Sequence, residues 1–294
     1  MASPDTLVLR AAGRPVARYV TRPELPARLS PRPYLHPVTT LAGTAVTELS
    51  PADHAHHLGV GVAVPDVEGH NFWGGRSPKL STSFEQGGTP TVRDQGPTEL
   101  DDHGAQRHSA FQLRDPDGFM EELRWVAAGA ELLRERRTVA AVELTATAWA
   151  LDFTFSLTNV TPGTLTIGSP ATDGRPGAAY GGFFWRARKE PRAPEVFTAD
   201  REGEDGVHGR CAGWLALAGA GWTLVFAGAT EETRRDPWFV RAAEYPGVGS
   251  SLAHTERLTV EPGVTAVRRI VTVVADGRLD RDGAAALARK AVSA

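Results

Sequence analysis

Three histidines and an aspartate fall within five residues in Asp53-His54-Ala55-His56-His57, directly ahead of the apolar run 58–64 and upstream of Asn71-Phe72-Trp73. Imidazole is the side chain that exchanges protons near neutral pH, and it is also the commonest metal ligand. On an extended segment, residues two apart share a face. His54 and His56 are therefore expected to point together, able to hold a divalent metal or to act as an acid/base pair, with His57 pointing away. The bland alternative is that these rings hydrogen-bond locally and brace a loop. No further ligands stand at a spacing diagnostic of a metal site, so metal content stays open.

Other residues could join such a site. His36 lies two residues from Tyr34 and is bracketed by Pro33 and Pro37, a stiff backbone well suited to aiming a catalytic group. Proton transfer near neutral pH usually pairs histidine with a carboxylate. Glu135, among Arg134, Arg136 and Arg137, is the first candidate, with Glu121 and Asp173 behind it. The competing role for Glu135 is an ion pair with its basic neighbours. Arg186 and Arg241 offer forked donors to hydroxyl or carboxylate oxygens, and Trp185 or Trp238 could stack on a sugar ring. Trp238, beside Pro237 and Arg241, reads as a rim platform, whereas Trp149, Trp214 and Trp222 stand in apolar strands and read as core. There is no Gly-x-Gly-x-x-Gly after a strand, no P-loop and no Gly-x-Ser-x-Gly elbow, so no nicotinamide or nucleotide cofactor is expected. Cys211 has no activating base in view.

The elements that must position these groups are strands. Hydrophobic residues make up 41% of the 294 residues and charged residues 23%, ordinary for a globular protein, and the net charge of -3 argues against a nucleic-acid binder. One cysteine, no secretory leader and no apolar run of membrane-spanning length point to a cytoplasmic protein away from membranes. Short alternating runs punctuated by Gly, Pro and Asp turns recur from Leu7 onward. Residues 22–37 carry five prolines and are expected to form a crossing or edge segment. Residues 74–108 read as a long functional loop. Residues 214–217 and 222–227 form a hairpin, and residues 258–260 and 267–274 form a last one. Only residues 281–292, alanine-rich with Asp282 near the start, read as helix. The pattern predicts an all-β fold: a single-domain β-sandwich over 1–294, with long rim loops and a short C-terminal helix.

Taken together, Arg32-Pro33-Tyr34-Leu35-His36-Pro37, Asp53-His54-Ala55-His56-His57-Leu58-Gly59 and Asn71-Phe72-Trp73 resemble a bacterial family labelled "methane oxygenase PmoA". Trp125 with Gly129, Leu132-Leu133, Glu135, Arg137-Thr138, Tyr180-Gly181-Gly182, residues 237–241 and Pro262-Gly263 extend the resemblance across nearly the whole chain. Two departures stand out: Leu58 replaces a frequent arginine, and an Asp-His-Pro-x-Asn element is missing around 229–235. The resemblance implies a sandwich similar to the galactose-mutarotase supersandwich, a carbohydrate ligand, and a sugar dehydrogenase as functional partner. The leading expectation is an epimerase- or lyase-type enzyme on a sugar or keto-sugar. In it His56 and His57 act as acid and base with His54, His36 or Glu135 assisting, and Tyr34, Arg186, Trp238 and Arg241 hold substrate. The alternatives are a metal-dependent oxygenase using His54 and His56, as the family label implies, and a non-catalytic carbohydrate-binding protein.

Overall fold

The computed structural model describes residues 6–83, 91–98 and 101–294. Among them the strands run in order as β1 Thr6–Ala11, β2 Arg14–Val20, β3 Tyr34–Val38, β4 Val60–Ala63, β5 Asp66–Val67, β6 Ser77–Ser83, β7 Thr91–Thr98, β8 Ala105–Arg114, β9 Gly118–Ala127 and β10 Ala130–Thr145. They continue as β11 Ala148–Asn159, β12 Leu165–Gly168, β13 Gly182–Arg186, β14 Glu195–Phe197, β15 Trp214–Ala218, β16 Trp222–Gly228, β17 Trp238–Arg241, β18 Gly247–Ser250, β19 Leu258–Val260 and β20 Thr265–Asp276. Three helices are interspersed: α1 Glu204–Val207, α2 Glu231–Arg235 and α3 Arg281–Ser293. Among the described residues, no helix is long and apolar enough to cross a membrane.

Two large open sheets carry the fold, a seven-stranded one in the order β1-β2-β3-β4-β13-β18-β17 and an eight-stranded one in the order β14-β15-β16-β20-β11-β10-β9-β8. The protein is an all-β sandwich, as its alternating runs predict. The sheets meet through aromatic pairs: Tyr19 on Phe119 at 4.4 Å between ring centres, Phe183 on Phe153 at 5.4 Å, and Trp185 on Phe226 at 5.6 Å. Burying each such ring contributes on the order of 2–3 kcal/mol. The far face of the eight-stranded sheet is covered by α3. Its Ala284, Ala288 and Ala291, spaced for one helical face, pack on small residues such as Ala150, Ala216, Val271 and Val273. Asp280 caps the helix by accepting from the Gly283 N–H at 2.8 Å.

Three expectations need correction. The proline-rich segment does not end at an edge, because β3 lies between β2 and β4. Its pairing with β2 skips from Leu35 to Val38, so Pro37, which has no N–H to donate, falls where the ladder is interrupted. Within 74–108, β6 and β7 pair as a two-stranded sheet rather than forming a loop, and residues 84–90 and 99–100 of that stretch lie outside the described residues. Finally, β19 pairs with β12 in a small sheet and not with β20, so the last strands are no hairpin.

Candidate functional site

The histidine stretch is not extended. The His54 N–H donates to Pro51 O at 3.0 Å and the His57 N–H to His54 O at 2.9 Å, two successive turns that fold the chain back on itself. The expected alternation therefore fails, and all three rings gather. His54 stacks on His57 with centres 4.6 Å apart, and His56 meets His57 edge-on at 4.7 Å. The turn is clamped to the seven-stranded sheet by main-chain bonds. Glu48 N–H donates to Arg186 O, Arg186 N–H to Gly59 O, and Gly59 N–H to Glu48 O, at 3.1, 2.7 and 3.1 Å. Arg32, buried behind the turn, donates to His56 O at 2.6 Å.

The rings lie on an aromatic floor formed on the outer face of the seven-stranded sheet. Inward positions of β13 face the core, so Phe184 and Arg186 face outward. In register with them, Gly249 stands between Phe184 and Phe239, and Gly247 between Arg186 and Arg241. These glycines leave the sheet bare: a Cβ on Gly247 would sit 3.0 Å from Tyr245 Cε2 and 3.2 Å from Phe184 Cζ. Into that space lies Tyr245, 4.7 Å from His54 and 5.2 Å from His57. Arg186 lies against the same ring, its guanidinium carbon 4.7 Å from the ring centre. Trp73 completes the floor at 4.8 Å from Phe184 and 5.8 Å from His57. It is aimed there by Asn71, whose Oδ1 accepts from the N–H groups of Trp73 and Gly74, both at 2.8 Å.

Charge within the cluster is unevenly matched. Glu48 Oε2 accepts from Arg186 Nε and Nη2 at 3.0 and 2.8 Å, while Arg186 Nη1 is buried with no hydrogen-bond partner among the described residues. The Nδ1 atoms of His54 and His57 are likewise buried and unpartnered. Asp53 Oδ2 comes within 3.2 Å of His54 Nδ1, close enough for attraction but off the line of a hydrogen bond. Burial, then the nearby positive charges of Arg32, His54, Arg186 and His103, push His56 down to about 3. His57 is driven down further in the same direction, again chiefly by burial. Both rings are therefore neutral at pH 7. Arg32 meets only backbone carbonyls of Leu29, Ser30 and His56, and burial brings it down to about 9.

The other expected site residues divide. His36 shares the outer face, half-buried, with Nδ1 3.0 Å from Thr47 Oγ1 and its Cβ 3.0 Å from where a Cβ on Gly59 would stand. Burial lowers its pKa and Glu48 opposes that. Tyr34, two residues back on β3, is half-buried on the same face. Arg241 faces outward across Gly247 from Arg186, and lies over Phe239 while donating to Gly177 O at 3.1 Å. Two expectations are overturned. Trp238 is no rim platform: it is 1% exposed, its Nε1 donates to Ala212 O at 2.9 Å, and it packs on the core near Phe226. Glu135 does not approach the histidines. It is fully buried between the sheets, accepting from Trp125 Nε1 at 2.8 Å and from Arg137 Nε and Nη2 at 2.7 and 3.0 Å. Period-2 alternation on β10 sends Leu133, Glu135, Arg137 and Val139 inward together, which settles the ion-pair role. Glu121 joins the same network, accepting from Tyr19 and His108, and Asp173 is tied to Arg257 at 3.0 Å.

Residues 6–289 match a family of unknown function designated DUF6807. The chain belongs to that family. No curated protein matches it. Membership covers both the histidine turn and the floor beneath it, so the site is described within the family's own span.

Among the described residues no three His, Cys, Asp or Glu side chains are grouped to hold a metal ion. His54 and His56 centres stand 5.8 Å apart, with His57 between them in contact with both. The two rings therefore have no third protein ligand beside them among the described residues, which is too few to hold a metal by themselves. Trp73, Phe184, Tyr245, Glu48 and Arg32 were not foreseen as site residues. A signal existed for some of them: Tyr245-Pro246-Gly247-Val248-Gly249 places an aromatic before a strand whose alternate glycines bare one face.

Proposed function

We propose that this protein is a carbohydrate-active enzyme that transfers a proton next to the carbonyl of a sugar or keto-sugar, in the manner of an epimerase or lyase. One observation carries the reading: three imidazoles meet a buried guanidinium on an aromatic floor, and three of their polar atoms lack hydrogen-bond partners among the described residues. Aromatic faces suit the C–H faces of a sugar ring. We read the sandwich as galactose-mutarotase-like and the chain as akin to the PmoA-labelled family, both of which accord with a sugar ligand.

His54 is the proton-transferring group. Its side chain is 24% exposed, the Asp53 carboxylate lies 3.2 Å from its Nδ1, and it is in reach of entering substrate. His56 and His57, expected from sequence as the acid/base pair, are too weakly basic for that step and instead offer N–H groups to substrate oxygens. In the reaction the C–H bond beside the carbonyl breaks, its electron pair moves onto the carbonyl oxygen, and the proton goes to His54. Return of a proton to the opposite face gives epimerisation, and departure of a β-substituent gives elimination. The low basicity of His56 and His57 also favours a second reading, sugar binding without chemistry.

Hydrogen exchange separates the two. Keto-sugars incubated with the protein in D2O and followed by proton NMR should lose the signal of the hydrogen beside the carbonyl, and His54→Gln should slow that loss by roughly 100-fold or more. Saturable binding with no exchange by the unaltered protein would leave only the binding reading standing.

A further inference from the structure

We infer that the ligand of the histidine cluster carries a carboxylate, received by the guanidinium of Arg186. The inference rests on the cluster being the ligand site, as proposed above. Arg186 is 1% exposed, and Glu48 meets two of its three nitrogens through a single oxygen. Among the described residues its Nη1 has no hydrogen-bond partner, nor has Nδ1 of His57, and Nδ1 of His54 has only the Asp53 carboxylate, 3.2 Å away and off the line of a hydrogen bond. These three groups do not lie apart: each is in contact with the ring of Tyr245. A buried polar atom without a partner is costly, and more so when it belongs to a charged group. Three of them around one ring mark a place built for a polar group, and the guanidinium N–H among them calls for an acceptor.

The charges narrow what the acceptor is. Two guanidiniums, Arg32 and Arg186, are buried at the cluster. Among the described residues, only Arg186 of the two has a carboxylate partner, since Arg32 donates to main-chain oxygens. Asp53 is half-exposed at 51% and its charge is largely screened by water. At the cluster itself two guanidiniums therefore face one carboxylate, Glu48, while the buried carboxylates Glu121 and Glu135 lie between the sheets with Arg137. A hydroxyl or keto oxygen would satisfy an N–H and leave the unmatched charge; a carboxylate satisfies both, one oxygen on Arg186 and the other free for an imidazole N–H. A phosphate dianion would reverse the imbalance. The substrate class is thus an acidic sugar derivative such as a uronate or aldonate.

Calorimetric titration of the full chain with D-glucuronate, D-gluconate, D-glucose, D-glucose 6-phosphate and acetate tests this. The carboxylate sugars should bind at least tenfold more tightly than glucose, and Arg186→Lys should weaken them by roughly 10–100-fold. Should the variant fail to fold, the unaltered protein labelled with 15N at arginine serves instead: saturating glucuronate or acetate should shift the Arg186 guanidinium signals, and glucose should not. No preference for any carboxylate over glucose, or tighter binding of the phosphate than of the acids, overturns the inference. Carboxylate binding without exchange in D2O keeps this inference and ends the enzyme reading. Exchange on neutral keto-sugars with no carboxylate preference keeps the enzyme and ends this inference.

Discussion

An imidazole that cannot be protonated in the native state leaves a thermodynamic trace. Unfolded, a histidine takes up a proton near pH 6.5; folded, His56 resists one down to about pH 3, and His57 resists still more strongly. Between those values the unfolded chain binds protons that the native chain cannot. Stability is therefore greatest above pH 6.5 and falls as the pH is lowered, by up to about 1.4 kcal/mol per pH unit for each ring. Urea unfolding at pH 7, 6 and 5 should show a falling midpoint, and His56→Gln or His57→Gln should make the fall shallower. A midpoint that does not move between pH 7 and 5 would mean the rings are not buried among positive charges. In the proposed reaction this leaves proton transfer to His54, because a ring that stays neutral can offer hydrogen bonds at pH 7 but serves poorly as a base.

At the scale of elements, β9 and β10 each bring charge into the sandwich. Arg137 lies opposite Glu121 in the strand register, bonds Glu135 through two nitrogens, and reaches Tyr19 Oη at 3.1 Å, Gln106 Oε1 at 3.1 Å and Pro33 O at 3.3 Å. Through Pro33 it steadies the start of β3, the strand that carries Tyr34 and His36. Burial alone would lower the Arg137 pKa, but the Glu135 carboxylate more than offsets this and holds it above its ordinary value. Removing one partner strands the other charge in the core. Arg137→Met should cost about 3–5 kcal/mol in urea unfolding, and adding Glu135→Gln should recover part of that loss. A single-variant loss under about 1 kcal/mol would show that water reaches the pair. This network was half legible. Alternation along Leu133-Arg134-Glu135-Arg136-Arg137 marks which residues face inward, but whether that face met core or cavity depended on the sheet packed against it. Trp238 failed for the same reason: its neighbours Pro237 and Arg241 suggested a rim, while the period of β17 turns it to the core and Phe239 outward.

For the whole molecule, the sandwich has two outer faces with different tasks. The seven-stranded sheet carries the histidine cluster on its outer face, and the eight-stranded sheet is sealed on its own outer face by α3. Deleting residues 281–294 would expose Ala150, Ala216, Val225, Val271 and Val273 together, a contiguous apolar patch on a flat sheet. The truncated chain should self-associate, measured by light scattering against the full chain at equal concentration; a monodisperse truncated protein would mean α3 is an appendage and not a cover. The amino-acid sequence by itself determined the strand-rich class, most strand positions, the terminal helix and the proximity of three histidines, since alternation, turn residues and helix caps act over a few neighbouring residues. Tertiary structure alone decided that Glu48, Trp73, Phe184, Arg186 and Tyr245 surround those histidines. They lie up to 197 residues apart in the chain, and they converge because main-chain bonds between Glu48, Gly59 and Arg186 dock the turn on a sheet face that glycines leave open. Strand order and register, which arise from the packing of the whole chain, have no local signature to read.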